Sequence, residues 1–91
     1  GVTRVEDPRA SALASLLPGS FRASQSLARA LAAYVEGRRY FSAARRREIA
    51  RHLGAPLAAR LNLPADTSHD LLLCALYYRT FIADRLDETA P

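Results

Sequence analysis

The chain of 91 residues contains no lysine, no methionine and no tryptophan. All thirteen of its basic residues are therefore arginine. Together with the abundant alanine, this bias is typical of a GC-rich genome, so the use of arginine does not by itself indicate bidentate recognition of an anion. Because methionine is absent even at position 1, we expect Gly1 to be a cloning remnant and the domain to come from a longer protein.

Cysteine and long apolar runs are also scarce. The single cysteine, Cys74, excludes a disulfide within the chain and leaves too few ligands for a known zinc spacing with His52 or His69. Its leucine and alanine neighbours favour a small buried hydrophobe over a nucleophile. The longest apolar run, residues 71–78, is far shorter than the about 20 residues that a membrane-spanning helix needs. We therefore expect no enzyme activity, no metal, no cofactor and no membrane span here.

Residues that favour β-strands are sparse. Isoleucine, valine and threonine are few, and no hairpin dipeptide such as Asn-Gly occurs. Helical periodicity recurs along most of the chain instead. The sequence predicts one all-α domain over residues 1–91, with four helices joined by short loops and flexible tails at 1–6 and 87–91.

Two amphipathic helices are predicted in the first half. Asp7 and Pro8 begin the first, and Pro18-Gly19 ends it. Its apolar face is predicted to contain Leu13, Leu16 and Leu17. The second helix is predicted to start near Ser20 or Ser24 and to close near Gly37. Its apolar stripe is predicted to contain Leu27, Leu31, Tyr34 and Val35.

The third helix is predicted to begin after Ser42 and to end near Asn62 and Pro64. Its apolar stripe, with a spacing of four throughout, contains Ile49, Leu53, Leu57 and Leu61. Pro56 lies inside this stripe and removes a backbone hydrogen bond, so we expect a kink or a break there. Because the apolar register survives across Pro56, a kinked helix is favoured over two separate ones.

The last helix is predicted to be the centre of the fold. Residues 71–82 are apolar on nearly every side, which is typical of a helix buried among others. Thr67 and Asp70 resemble a capping box at its start, and we expect it to run to about Asp84 or Leu86. Arg79 interrupts the apolar run, and therefore marks either an exposed edge or a buried ion pair.

Six arginines fall within fourteen residues and form the candidate partner-binding face. They are Arg38, Arg39, Arg45, Arg46, Arg47 and Arg51. The simplest interpretation is a solvated surface; the alternatives are a site for an acidic protein, an anionic lipid surface or nucleic acid. Nucleic acid is disfavoured, because the helix after Pro64 is too apolar for a recognition helix.

Three segments in the middle of the chain resemble a known family. They are Tyr-Val-Glu-Gly-Arg-Arg-Tyr-Phe at 34–41, Ala-Arg-Arg-Arg-Glu-Ile-Ala at 44–50, and Pro-Leu-Ala-Ala-Arg-Leu-Asn-Leu-Pro at 56–64. Over about residues 21–82 the chain resembles the soluble C-terminal extension of bacterial RDD-family membrane proteins. The resemblance implies a cytoplasmic helical appendage tethered to a membrane through its parent chain, and it implies no catalytic or transport residue.

These observations predict a non-enzymatic cytoplasmic accessory domain that binds a protein partner or its own parent chain. A nucleic-acid-binding domain that uses the arginine face is one alternative. The other is a dimerisation module, in which a second copy covers apolar surface left by so short a chain.

Overall fold

Four α-helices make up most of the computed structural model, which describes residues 8–83. The helices are α1 (Pro8–Leu16), α2 (Gln25–Gly37), α3 (Ala43–Arg60) and α4 (His69–Tyr78). A 3₁₀ turn (Arg38–Tyr40) joins α2 to α3, and a π-helical turn (Arg79–Ala83) follows α4. No strand occurs over this range, so the predicted all-α, four-helix fold is confirmed. The predicted tails and the predicted cap Asp7 lie outside the described residues.

Helix α4 lies at the centre of the fold. Its residues from Leu72 to Tyr77 are all buried, and the other three helices each pack against it. A helix without a polar face can exclude water only when neighbours cover it on several sides. Each fully buried leucine then contributes about 1.5–3 kcal/mol relative to an exposed one. The prediction of a buried C-terminal helix is therefore confirmed.

The buried face of α3 is shifted around the helix axis from the predicted stripe and shares Leu57 with it. Its buried residues are Ala50, Gly54 and Leu57, whereas Ile49 and Leu53 are only partly buried. Four residues turn about 400°, so a stripe with a spacing of four winds by about 40° at each step around the helix axis. The small residues on the buried face allow close packing, because a Cβ atom added to Gly54 would lie 3.0 Å from the Cβ of His69. The helix is continuous through Pro56, which excludes the predicted break.

Serine caps begin three of the helices. Ser24 and Ser42 cap α2 and α3, and each side-chain oxygen accepts a hydrogen bond from a backbone amide at 3.1 Å. The predicted capping box of Thr67 and Asp70 is wrong, because Ser68 caps α4 and accepts from the amide of Leu71 at 3.2 Å. The Thr67 amide instead closes a turn with the carbonyl of Pro64. The Asp70 carboxylate points toward α2, as described below.

The ends of the helices correct one prediction and confirm two. Leu16, predicted to be buried, is 78% exposed, because α1 ends there and Leu17 turns into the core instead. Gly37 ends α2 as predicted, with a φ of −102°, and the chain continues into the 3₁₀ turn. Asn62 adopts a left-handed φ of 56° just after α3, at the position where the sequence predicts that this helix ends.

The last helix changes its hydrogen-bond pattern near its end. It is α-helical to Tyr78 and continues as a π-helical turn to Ala83, so the predicted end at Asp84 or Leu86 lies outside the described residues. Arg79 is half-buried there and donates hydrogen bonds to the carbonyl oxygens of Leu17, at 3.4 Å, and Pro18, at 2.9 Å. Its guanidinium therefore holds the loop after α1 against the end of α4.

Candidate functional site

One arginine of the predicted face is held in a contact between helices. The Nη1 atom of Arg38 lies 2.8 Å from Oδ1 and 2.6 Å from Oδ2 of Asp70, at the start of α4. The side chains of Arg38 and Asp70 remain 32% and 36% exposed. Because its charge is matched by Asp70, Arg38 stabilises the junction of α2 and α4 and adds little to a basic surface.

Tyr34 completes this junction from α2. Its hydroxyl donates to Oδ1 of Asp70 at 2.5 Å. Burial raises the pKa of Tyr34 well above its usual range, and the hydrogen bond to the Asp70 carboxylate raises it further. Burial alone would lower the pKa of Arg38, but hydrogen bonding to Asp70 and the attraction of that carboxylate outweigh it and raise the pKa. The hydroxyl and the guanidinium therefore both stay protonated, as donors to one carboxylate.

A second tyrosine joins the same two helices. The ring of Tyr77 is fully buried in the core, and its hydroxyl donates to Oε2 of Glu36 at 3.2 Å. Buried tyrosines commonly place the ring among apolar groups and the hydroxyl at the edge, where it finds a polar partner. This contact and the contacts of Asp70 with Tyr34 and Arg38 fix α2 against α4. Helix α3 is held by apolar packing and by the close approach of Gly54 to His69.

Two further arginines of the predicted face make local contacts. In the 3₁₀ turn, Arg39 donates to the hydroxyl of Tyr40 at 2.9 Å, and its guanidinium carbon lies 4.9 Å from the centroid of the Tyr40 ring. Both residues are exposed. Arg46 is half-buried on α3, and its Nε atom is buried without a hydrogen-bond partner in the described part of the chain. Arg46 therefore presents only part of its side chain to a partner.

The remaining three arginines are exposed at different points around α3. Arg45, Arg47 and Arg51 are exposed, and Arg45 forms a surface ion pair with Glu48. We define the α3 outer surface by seven residues of this helix. They are Arg45, Arg47, Glu48, Ile49, Arg51, His52 and Leu53. Three arginines and one glutamate give this surface a formal charge of +3 − 1 = +2.

Two shallow depressions lie on or beside the α3 outer surface. The first, of about 490 Å³, separates α3 from the start of α4; Arg47 and Arg51 line one side and residues 67–70 the other. The second, of about 530 Å³, lies on the outer side of α3. It is lined by Arg45, Glu48, Ile49, Arg51, His52 and Leu53. Arg51 is common to both, so it is the central cation of the site.

The described histidines and the cysteine lie in separate surroundings. Between residues 8 and 83, no three His, Cys, Asp or Glu side chains come together in a way that could hold a metal ion. Cys74 is buried in the core, among apolar residues. His52 is exposed on α3, whereas His69 is half-buried in the first turn of α4. The candidate site is therefore a cationic surface with a small apolar component.

The chain matches no family model, no curated protein and no solved structure. None of the helices within residues 8–83 is long and apolar enough to cross a membrane. The resemblance to RDD-family extensions stays a prediction, and the surface of α3 is the part of the described chain from which a function can be argued.

Proposed function

We propose that this chain is a non-enzymatic interaction domain that binds an acidic segment of a partner protein, or of its own parent chain, through the α3 outer surface. One observation carries the proposal: Arg45 and Arg51 are exposed and line one depression together with Ile49 and Leu53, while Ala50, Gly54 and Leu57 of the same helix are buried. The buried side gives α3 a fixed position, and the exposed side is left to a partner.

The electrostatics of the surface favour an anionic partner. Arg47 and Arg51 are four residues apart on one helix, where like charges repel by a few tenths of a kcal/mol. A carboxylate placed between them would remove this repulsion and could accept bidentate hydrogen bonds from either guanidinium. Arginine is also enriched at protein interfaces, because its planar group combines charge with contact area.

Other features favour a protein over nucleic acid. Glu48 lies among the arginines and repels any anion close to it, but a protein segment can place its few carboxylates away from Glu48, whereas a nucleic acid carries a charge at every nucleotide. The apolar helix that follows Pro64 is buried as α4, so it cannot enter a DNA groove as a recognition helix. An acidic protein segment agrees better with both observations.

On the same proposal, the domain is an accessory part of a larger membrane-associated protein and acts on the cytoplasmic side. The support is the resemblance of about residues 21–82 to RDD-family extensions. A tethered domain needs only weak affinity for a segment of its own parent chain, because the tether keeps the local concentration of that segment high.

The direct test is charge reversal on the α3 outer surface. Binding of a fluorescein-labelled polyglutamate peptide is measured by anisotropy at about 0.1 M salt, for the 91-residue chain and for the double variant Arg45→Glu/Arg51→Glu. We expect the variant to bind at least about tenfold more weakly, which corresponds to about 1.4 kcal/mol. Circular dichroism should show unchanged helix content, since both positions are exposed.

The matched control reverses two exposed arginines elsewhere, Arg22→Glu/Arg29→Glu, with the same change in net charge. We expect a loss of less than about threefold, because charges more than a Debye length of about 10 Å away are largely screened. Equal losses in the two variants would show that only net charge matters, and would refute the proposed site. Tighter binding to duplex DNA than to polyglutamate would favour the nucleic-acid alternative instead.

A further inference from the structure

We infer that the segment bound by the α3 outer surface is an amphipathic acidic helix, with apolar side chains against Ile49 and Leu53 and carboxylates against Arg45 and Arg51. This inference rests on the proposed function and gives the chemistry of its partner. The observation that carries it is the juxtaposition of apolar and cationic side chains around the second depression.

The apolar part is a short ridge along α3. Ile49 and Leu53 are separated by one helical turn, a rise of about 6 Å. Both are partly buried, since they pack against the core on one side and line the depression on the other. A partner that buries the rest of these side chains gains about 25 cal/mol for each Å² of apolar surface removed from water.

The cationic part surrounds this ridge. Arg45 precedes Ile49 by one turn, and Arg51 and His52 lie along the same depression. A partner that fits must therefore present apolar side chains about one turn apart with carboxylates beside them. An amphipathic helix has this arrangement, because residues three and four apart share a face, and helices commonly bind apolar grooves in this way.

The surface fits two other occupants less well. A second copy of the chain would bring three arginines against three arginines across a two-fold axis, and the repulsion would oppose association. A bilayer surface favours protruding apolar side chains that insert among the lipids. The large exposed apolar residues between positions 8 and 83 are Leu16 and Tyr40, and neither belongs to the α3 outer surface.

The experiment compares two peptides of identical composition. One is a designed helical peptide with leucines at i, i+4 and i+7 and glutamates on both sides of them, and the other has the same residues in a scrambled, non-amphipathic order. The change is made in the peptide because Ile49 and Leu53 also pack against the core, so their replacement would alter the fold as well as the surface. Each peptide is titrated into the isotope-labelled 91-residue chain.

We expect the amphipathic peptide to bind at least about tenfold more tightly than the scrambled one, a difference of about 1.4 kcal/mol. It should also shift the methyl resonances of Ile49 and Leu53, and Arg45→Glu/Arg51→Glu should weaken it. Equal affinity of the two peptides, or unshifted methyl resonances, would overturn the inference.

The controls separate this inference from the proposed function. If the two peptides bind equally but polyglutamate binding still depends on Arg45 and Arg51, the helical partner is wrong and the acidic-segment proposal stands. If no acidic peptide binds, the proposed function fails as well. Preferential binding to phosphatidylglycerol vesicles over both peptides would overturn the inference in favour of a lipid surface.

Discussion

Leu76→Ala is expected to destabilise the domain by about 2–5 kcal/mol, the range for removing a large aliphatic side chain from a packed core. Leu76 is completely buried in α4, which the other three helices surround, so the cavity cannot be filled without moving a helix. A domain of this length has a total stability of about 5–14 kcal/mol. One truncation would therefore remove a large share of it.

Urea denaturation followed by circular dichroism measures this loss as a lower midpoint at an unchanged slope. Leu16→Ala is the matched control, because it deletes the same atoms from a leucine that is 78% exposed. Its effect should stay within about 0.5 kcal/mol. If the two variants lost the same stability, α4 could not be the centre of the core.

Asp70→Ala is expected to have the second largest effect on stability, a loss of about 1–3 kcal/mol. The substitution leaves the guanidinium of Arg38 and the hydroxyl of Tyr34 without their shared acceptor. It also removes a negative charge from the first turn of α4, where the helix dipole favours an acid. Because Arg38 and Asp70 are each about one-third exposed, water replaces part of what is lost, and the lower half of that range is expected.

The matched control is Glu48→Ala, which breaks the surface ion pair with Arg45 within one helix. Exposed pairs of this kind contribute about 0.3–0.5 kcal/mol, so the loss should be correspondingly small. Chemical denaturation of both variants gives the comparison. A loss at Asp70 no larger than the loss at Glu48 would mean that the contact of Arg38, Tyr34 and Asp70 does not hold α2 against α4.

The elements predicted best are those that more than one feature of the sequence indicates. The apolar character of residues 71–78 on all sides leaves a buried helix as the only soluble arrangement, and α4 occupies this stretch. Ser42 was identifiable as a cap, and Ser24 was one of two candidates with Ser20, because serine before a helical stripe is a preferred N-cap. In these cases the local preference of the chain and the tertiary fold agree.

The predictions that failed are those that depend on neighbours. Periodicity placed Leu16 and Leu17 on the same apolar face, and it cannot say that α1 stops at Leu16 and leaves that side chain exposed. A spacing of four places Leu53 about 40° further around the axis of α3 than Ile49, so the predicted stripe does not stay on one face. The small residues Ala50 and Gly54 on the buried face give no hydrophobic signal of their own. The close approach of Gly54 to His69 is visible only when both helices are placed.

Part of the candidate site could be predicted from the sequence, and part of it depends on how the helices pack. A cluster of six arginines is evident in the sequence, but the sequence does not say which of them are already paired. Arg38 and Asp70 are 32 residues apart, so no local pattern connects them. Only the packing of α2 on α4 pairs Arg38 with Asp70, and only the turn of α3 places Arg45 and Arg51 around the depression that Ile49 and Leu53 line.

Native-state amide hydrogen exchange tests most directly whether α4 is the fixed centre on which α3 presents its outer surface. Amides of residues 72–77 should exchange more slowly than all others in the domain, and only through global unfolding, so that their opening free energy equals the value from urea denaturation. Faster exchange in the short, peripheral helix α1 would accompany this result. Exchange of residues 72–77 as rapid as that of α1 would contradict the buried centre and the interaction surface that depends on it.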